Sequence, residues 1–328
     1  MIGDDSRRPA CPAQPVVRVV AVVGPTAAGK SDLSLDLAEA LGGEVVNADS
    51  MQVYRGMDVG TAKLSQGERR GIPHHLLDVL DVTGTATVAQ FQQLARSVID
   101  DCLDRGVTPV LVGGSALYTR AVLDRFEFPG TDPAVRERLE GELDARGPEA
   151  LHVRLAAVDP VSAERISVTN GRRVVRALEV VEITGRPYSA TLPSLTYFYD
   201  NPVQVGVAIP RSVLDERIAQ RVRRMWDAGF VEEVRRLAET GLREGRTAAR
   251  ALGYQQVLAF IDGQITESRA REQTVVRTRQ FARRQDAWLR KDPRITWVAW
   301  DDPDRVAVAL AVIGGSRVAN RVRAGEAG

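Results

Sequence analysis

The chain has 328 residues, with 44 lysines and arginines against 43 aspartates and glutamates and a formal net charge of +1. That length allows two domains with full cores, and the near-neutral balance excludes the protein-wide cationic field of a non-specific nucleic-acid binder. Two cysteines in unrelated segments exclude a disulfide scaffold, and no apolar run is long enough for a bilayer-spanning helix.

The first fifteen residues carry charge and three prolines without an apolar stretch, so they read as a flexible tail and not a signal peptide. Val17 to Val23 then reads as a buried parallel strand. It runs into Gly24-Pro25-Thr26-Ala27-Ala28-Gly29-Lys30-Ser31, and a helical pattern follows with Leu33, Leu37, Ala38 and Leu41 on one face. A bare glycine turn would also join strand to helix. The eight-residue GxxxxGKS spacing in this context points instead to a phosphate cradle. Glycines let the backbone N–H groups converge on one anion, and the helix N-terminus adds partial positive charge. Lys30 supplies a point charge, and the Ser31 hydroxyl is placed to ligate Mg²⁺.

Gly42-Gly43 closes the first helix. Glu44 to Ala48 reads as a second strand ending at Asp49-Ser50-Met51-Gln52. Gln90 to Arg105 is helical, and Val107 to Val112 is a further buried strand running into Gly113-Gly114-Ser115. Strands alternating with helices imply a parallel sheet, with ligands beyond its carboxyl edge. The glycine loop, Asp49 and Ser115 all fall at that edge.

After Leu123 the pattern changes to three helices without strands: Glu137 to Arg146, Pro148 to Ala157 and Arg172 to Thr184. Strand character returns at Val203 to Ile209. A long helical stretch follows, opened by Ser212 with Asp215 as a capping box, then a helix from Thr266 to Lys291 and a last strand from Ile295 to Trp300. The fold class is α/β: a P-loop NTPase-like parallel-sheet core (16–123 and 202–313) with an inserted all-helical domain (124–201) and a flexible tail at 314–328.

Asp49 is either an Asx turn leaving its strand or a carboxylate facing the substrate, able to accept a proton. The strand from 108 to 114 ends without an acidic residue, which argues against the Mg²⁺-holding aspartate of nucleotide hydrolases. His74-His75 on an extended segment point opposite ways, so a structural loop role is expected over joint metal ligation. Between Arg269 and Arg294 nine cationic residues face three acidic ones. With Val275/Val276, Phe281/Ala282 and Trp288/Leu289 against the core, that helix would offer an arginine face to an RNA backbone. Trp226, Phe230, Trp288 and Trp297 are expected in the core. Arg217 and Arg221, one helical turn apart, are candidates for the phosphate end.

The glycine loop, the run from Asp49 to Lys63 (DSMQVYRGMDVGTAK), Pro73-His74-His75-Leu76-Leu77-Asp78, Gly113 to Tyr118, Arg173 to Glu179 and Arg284 to Trp288 together resemble the tRNA dimethylallyltransferase family. Two positions depart from its pattern, with Ser115 in place of Thr and Arg172 in place of Gln. The resemblance implies transfer of a dimethylallyl group from its diphosphate to N6 of the adenosine 3′ to the anticodon. It implies catalytic roles for Asp49, Lys30 and Thr26, and diphosphate binding by Gly24 to Ser31 with Arg217 and Arg221. It further implies tRNA contacts from Asp49, Ser50, Met51, Gln52, Ser115, Arg136, Arg172, Arg173 and Arg176, with Mg²⁺ on Ser31. The partners are then the anticodon stem-loop of tRNA and dimethylallyl diphosphate, with no membrane, a cytoplasmic location and a monomeric chain. Arg172 and Arg176 share one helix face, and Val174, Leu178 and Val181 another. The competing readings are a P-loop small-molecule kinase and a non-catalytic nucleotide-switch or RNA-binding adaptor.

Overall fold

A computed structural model describes residues 18–126, 128–191 and 195–315. The expected tail at 1–15, residues 316–328 of the tail expected at 314–328, and Cys11 lie outside the described residues. The elements in chain order are β1 (Val20–Val23), α1 (Lys30–Leu41), β2 (Glu44–Asn47), β3 (His74–His75), α2 (Val88–Asp104), β4 (Pro109–Gly113), α3 (Ala116–Leu123), α4 (Pro133–Val158), α5 (Pro160–Arg165), α6 (Gly171–Thr184), β5 (Val203–Ala208), α7 (Arg211–Asp227), α8 (Phe230–Glu239), α9 (Tyr254–Ile261), α10 (Glu267–Leu289), β6 (Ile295–Ala299) and α11 (Arg305–Ile313). The chain divides into two compact units: 1–86, 94–116 and 200–328 in one, 87–93 and 117–199 in the other.

In the first unit six strands form one sheet in the order β3-β2-β4-β1-β5-β6, every pairing parallel. β1 is buried along its whole length, which is why it reads as an unbroken apolar run, three valines and Ala21, without polar alternation. Val20, Val22, Leu33, Leu37, Val110 and Val205 pack in one core cluster between sheet and α1. Gly42, at φ +59°, ends α1 with its N–H on the carbonyls of Ala38 and Glu39, as its left-handed backbone allows. The consequence for the site is positional. β2, β4 and β1 are neighbours, so the loops after all three open at one carboxyl edge.

Several expectations need correction. His74-His75 is a short edge strand paired with β2, not a loop. α7 begins at Arg211 behind Pro210, with no side-chain cap, because proline's fixed φ already sets the entry and Ser212 falls inside the helix. The long helical stretch breaks at Gly229, φ +87°, into α7 and α8. On α10 the buried stripe is Ala270, Thr274, Ala282, Gln285 and Leu289. Val276 and Trp288 are exposed, and Trp288 sits under Lys291 instead of in the core. Trp297 is half-buried under Arg290, whereas Trp226 and Phe230 are buried as expected.

The second unit packs α4, α5 and α6 around Leu139, Leu151, Leu155, Val174, Val175 and Leu178. α4 breaks at Gly147, φ +78°, ahead of Pro148, so the two helices read there from sequence are real. The buried carboxylate of Glu179 accepts from Arg136 and Arg176. Glu179→Ala strands two guanidinium groups. We expect it to cost about 2–4 kcal/mol, below the 3–5 of a fully buried pair because both arginines keep some solvent. Loss of amide protection in α4 and α6 by hydrogen exchange measures it.

Candidate active site

The loop from Gly24 to Ser31 wraps as its sequence requires. Gly24 takes φ +150° and Gly29 φ +98°, and Ala27 also enters the left-handed region at +64°. A side chain at Gly24 would meet the Val207 carbonyl at 3.3 Å, so the loop lies tight on β5. Gly29 begins α1 without a side-chain cap, which leaves the first-turn N–H groups for an anion. Lys30 folds back to donate to the Pro25 carbonyl at 2.8 Å. Burial and the nearby Arg221 guanidinium pull its ammonium down to about 8, against the opposing pull of Asp49.

A cavity of about 820 Å³ opens on this loop, walled by Gly29, Lys30, Ser31, Arg217, Arg221 and Arg224 among others. Arg217 lies over the Trp300 ring at 5.1 Å. The lining residues include no cysteine or histidine. The Ser31 hydroxyl on this wall is a hard oxygen donor, which fits Mg²⁺ completed by substrate oxygens and water.

A second cavity of about 290 Å³ adjoins it, sharing Arg221 and Met225. Its lining includes Thr26, Asp49, Ser50, Met51 and Ser115, the apolar Ile218, Val222, Phe230, Leu252 and Phe281, and also Arg250 and Arg284. The structure shows the Asx turn and sets Asp49 among the residues lining this cavity. Its Oδ1 accepts from the Met51 N–H at 2.9 Å in an Asx turn, while its charge reaches Lys30 and Arg221. Gln52 is turned to the Thr61 carbonyl at 3.2 Å and does not line this cavity. In the helical unit Arg172 and Arg173 are exposed. Arg176, half-buried, also donates to the carbonyls of Pro129 and Gly130.

Three polar residues that sequence reasoning missed hold this site. Asn47 brackets Asp49, accepting from its N–H at 3.0 Å and donating to its carbonyl at 3.1 Å. Gln285 accepts from the Thr26 N–H at 2.9 Å, and a side chain at Gly114 would strike its amide at 2.4 Å. Glu233 binds the backbone of Asp58, Val59 and Gly60. A sequence signal existed for the last: it falls three residues after Phe230 and four before Leu237, on the buried stripe of α8.

The one grouping with mixed metal-ligand chemistry among the described residues is Glu44, His75 and Cys102. Arg105 already grips the Glu44 carboxylate through both terminal nitrogens at 2.8 Å and holds it near 2. Burial pushes the Cys102 thiol up to about 11, so it offers no thiolate. This is a hydrogen-bonded lock between β2, β3 and α2. Among the described residues no helix is long and apolar enough to cross a membrane.

The family model described as IPP transferase matches residues 52–292. The chain is 65% identical over 295 residues to a tRNA dimethylallyltransferase of Nocardioides sp., covering 90% of this chain and 95% of that one. It is 62% identical over 293 residues to that of Streptomyces coelicolor, covering 89% and 94%. Among solved structures it is similar to a tRNA isopentenylpyrophosphate transferase of Bacillus halodurans, at 38% identity and TM-score 0.66 over 91% of this chain and 95% of that one. A eukaryotic dimethylallyltransferase acting on tRNA superposes at TM-score 0.81 and 25% identity, over 93% of this chain and 81% of that one. A P-loop sheet, a cationic cavity beside an apolar one, and this identity along most of its length place the chain in the IPP transferase family.

Proposed function

We propose that this chain transfers a dimethylallyl group from dimethylallyl diphosphate to N6 of the adenosine 3′ to the anticodon of tRNA, releasing diphosphate. The observation that carries this reading is the pairing of the two cavities: one on the glycine loop, where six lysines and arginines outnumber four carboxylates, and a more apolar one lined by Asp49, joined at Arg221. The diphosphate rests on the N–H groups of the loop with Lys30, Arg217 and Arg221, and the five-carbon group lies against Ile218, Val222 and Phe281. Ser31 would hold a Mg²⁺ ion, which when bound would supply Lewis-acid stabilisation of the departing oxygens. The allylic C–O bond breaks, with its electron pair leaving on diphosphate, and the N6 lone pair forms the new C–N bond. Asp49 accepts the N6 proton through the oxygen its Asx turn does not use. Thr26, fixed by Gln285, adds a donor beside the leaving group.

An adenine within an anticodon loop reaches a recessed carboxylate only by leaving its stack. Ser50, Met51 and Ser115, which line the second cavity with Asp49, are the proposed contacts to the everted base. Arg172 and Arg173 are the proposed contacts to RNA phosphates. Arg136 contributes the N–H groups that Glu179 does not engage, and Arg176 those left by Glu179, Pro129 and Gly130. The kinase reading is not favoured, since β4 ends in Gly113-Gly114-Ser115 without a carboxylate to help hold a nucleotide's metal.

Incubation of the protein with unmodified tRNA and labelled dimethylallyl diphosphate, followed by mass spectrometry of nucleosides, should give N6-dimethylallyladenosine and diphosphate. Label remaining in the donor, with ADP formed from ATP and a small acceptor, would reverse the assignment in favour of the kinase.

A further inference from the structure

Glu233 is 2% exposed on α8, and no lysine or arginine pairs with it among the described residues. A buried carboxylate without a cation is costly unless hydrogen bonds replace its water. Here four do. Oε2 accepts from the N–H groups of Asp58 at 3.0 Å and Val59 at 2.7 Å. Oε1 accepts from the Gly60 N–H at 3.1 Å and the Tyr254 hydroxyl at 2.6 Å. Burial first and Glu233 second push the Tyr254 phenol well above its usual range, so it remains a donor at every working pH. The loop is also packed closely against two aromatic rings. A side chain at Gly60 would come within 2.2 Å of the Phe230 ring and 2.6 Å of the Tyr254 ring.

What this clamp fixes is the next residue. The Thr61 carbonyl accepts from Arg221 Nη2 at 3.1 Å and from Gln52 Nε2 at 3.2 Å. Arg221 lies on the wall common to both cavities. Gln52 belongs to the segment that begins at Asp49. One carbonyl therefore holds both the cation common to the two cavities and the Gln52 amide three residues beyond Asp49, and the backbone just before it is clamped by a carboxylate that lines neither cavity.

We propose that Glu233 is a positioning residue for prenyl transfer: by clamping the Asp58–Gly60 backbone it places the Thr61 carbonyl that orients Arg221 and Gln52. This rests on the reaction proposed above. Glu233→Gln keeps the volume but cannot accept all four bonds, because its amide nitrogen must face either two backbone N–H groups or Gly60 and Tyr254. The loop then shifts by tenths of an ångström, enough to misaim both groups.

The test is steady-state kinetics on Glu233→Gln, Arg221→Lys and the double variant, with calorimetric binding of inorganic diphosphate to each. We expect Glu233→Gln to lower kcat about 10- to 100-fold and weaken diphosphate about 3- to 10-fold. In the Arg221→Lys background the same substitution should cost less than about 3-fold in kcat, since the group it acts through is already displaced. A role confined to stability would lower the unfolding temperature and leave the two kcat penalties multiplicative, which overturns the proposal. Tyr254→Phe removes one bond and keeps the ring, so it carries a smaller version of the prediction, about 3- to 10-fold in kcat, should Glu233→Gln fail to fold. A wild-type chain that transfers no prenyl group would reject the reaction. A folded Glu233→Gln within twofold of wild type would reject only the inference.

Discussion

Asp49→Asn lowers turnover by about 10²- to 10⁴-fold, the range of general-base assistance, and leaves inorganic diphosphate binding within a few-fold of wild type. Asparagine is the informative replacement. Its side-chain oxygen still accepts from the Met51 N–H, so the Asx turn that carries this residue off β2 survives, as does the bracket from Asn47. What goes is the negative charge and with it the proton acceptor. The N6 amine is a weak nucleophile because its lone pair is delocalised into the purine, so losing the acceptor strikes the bond-forming step more than binding. Single-turnover transfer together with calorimetry separates the two. Near wild-type turnover would leave Asp49 as turn geometry alone. Lost diphosphate affinity would mean its main work is electrostatic, through Lys30 and Arg221.

The Asx turn at Asp49 and the proton-accepting role proposed for it illustrate what the sequence could disclose. The glycine loop was legible because its eight residues are contiguous, and their strand and helix flanks carry plain periodicity. The carboxyl-edge convergence was legible too, since β2, β4 and β1 each end in a turn segment and the order of a parallel sheet then brings those turns together. The supports were not. Gln285 reaches Thr26 across 259 positions and Glu233 reaches Asp58 across 175. Nothing local marks a glutamine or glutamate as the partner of a distant backbone N–H. β3 is two residues long, too short for any alternation to register. α10 misled because its buried stripe is built from alanine, threonine and glutamine, whereas the apolar pairs that caught the eye include the exposed Val276 and Trp288. The arginines of the helical unit divide in a way no pattern announces. Arg172 and Arg173 stay exposed, while Arg136 and Arg176 are engaged by a buried Glu179 whose position on α6 looks like any other helix carboxylate.

Lys30 should make donor binding pH-dependent in a direction set by its surroundings. Burial and Arg221 bring its ammonium down to about 8, against an ordinary 10.5. Below pH 8 both the folded and the unfolded chain hold this proton. Between about 8 and 10.5 the folded chain has released it and the unfolded chain has not. The unfolded state then binds more protons, and the free enzyme gains stability as pH rises through that window. The bound donor reverses the preference, because its diphosphate charge stabilises the protonated lysine. Binding in the window therefore takes up a proton, and affinity falls with pH by up to roughly tenfold per unit above 8. We expect the KM for dimethylallyl diphosphate to climb accordingly at saturating tRNA. Lys30→Arg should flatten the climb, since a guanidinium keeps its proton throughout, although its different fork lowers kcat. Asp49→Asn should start the climb at lower pH, because it removes the one neighbour that supports the charged lysine. An unchanged profile in Lys30→Arg would assign the titration to another group and leave Lys30 a permanently charged anchor.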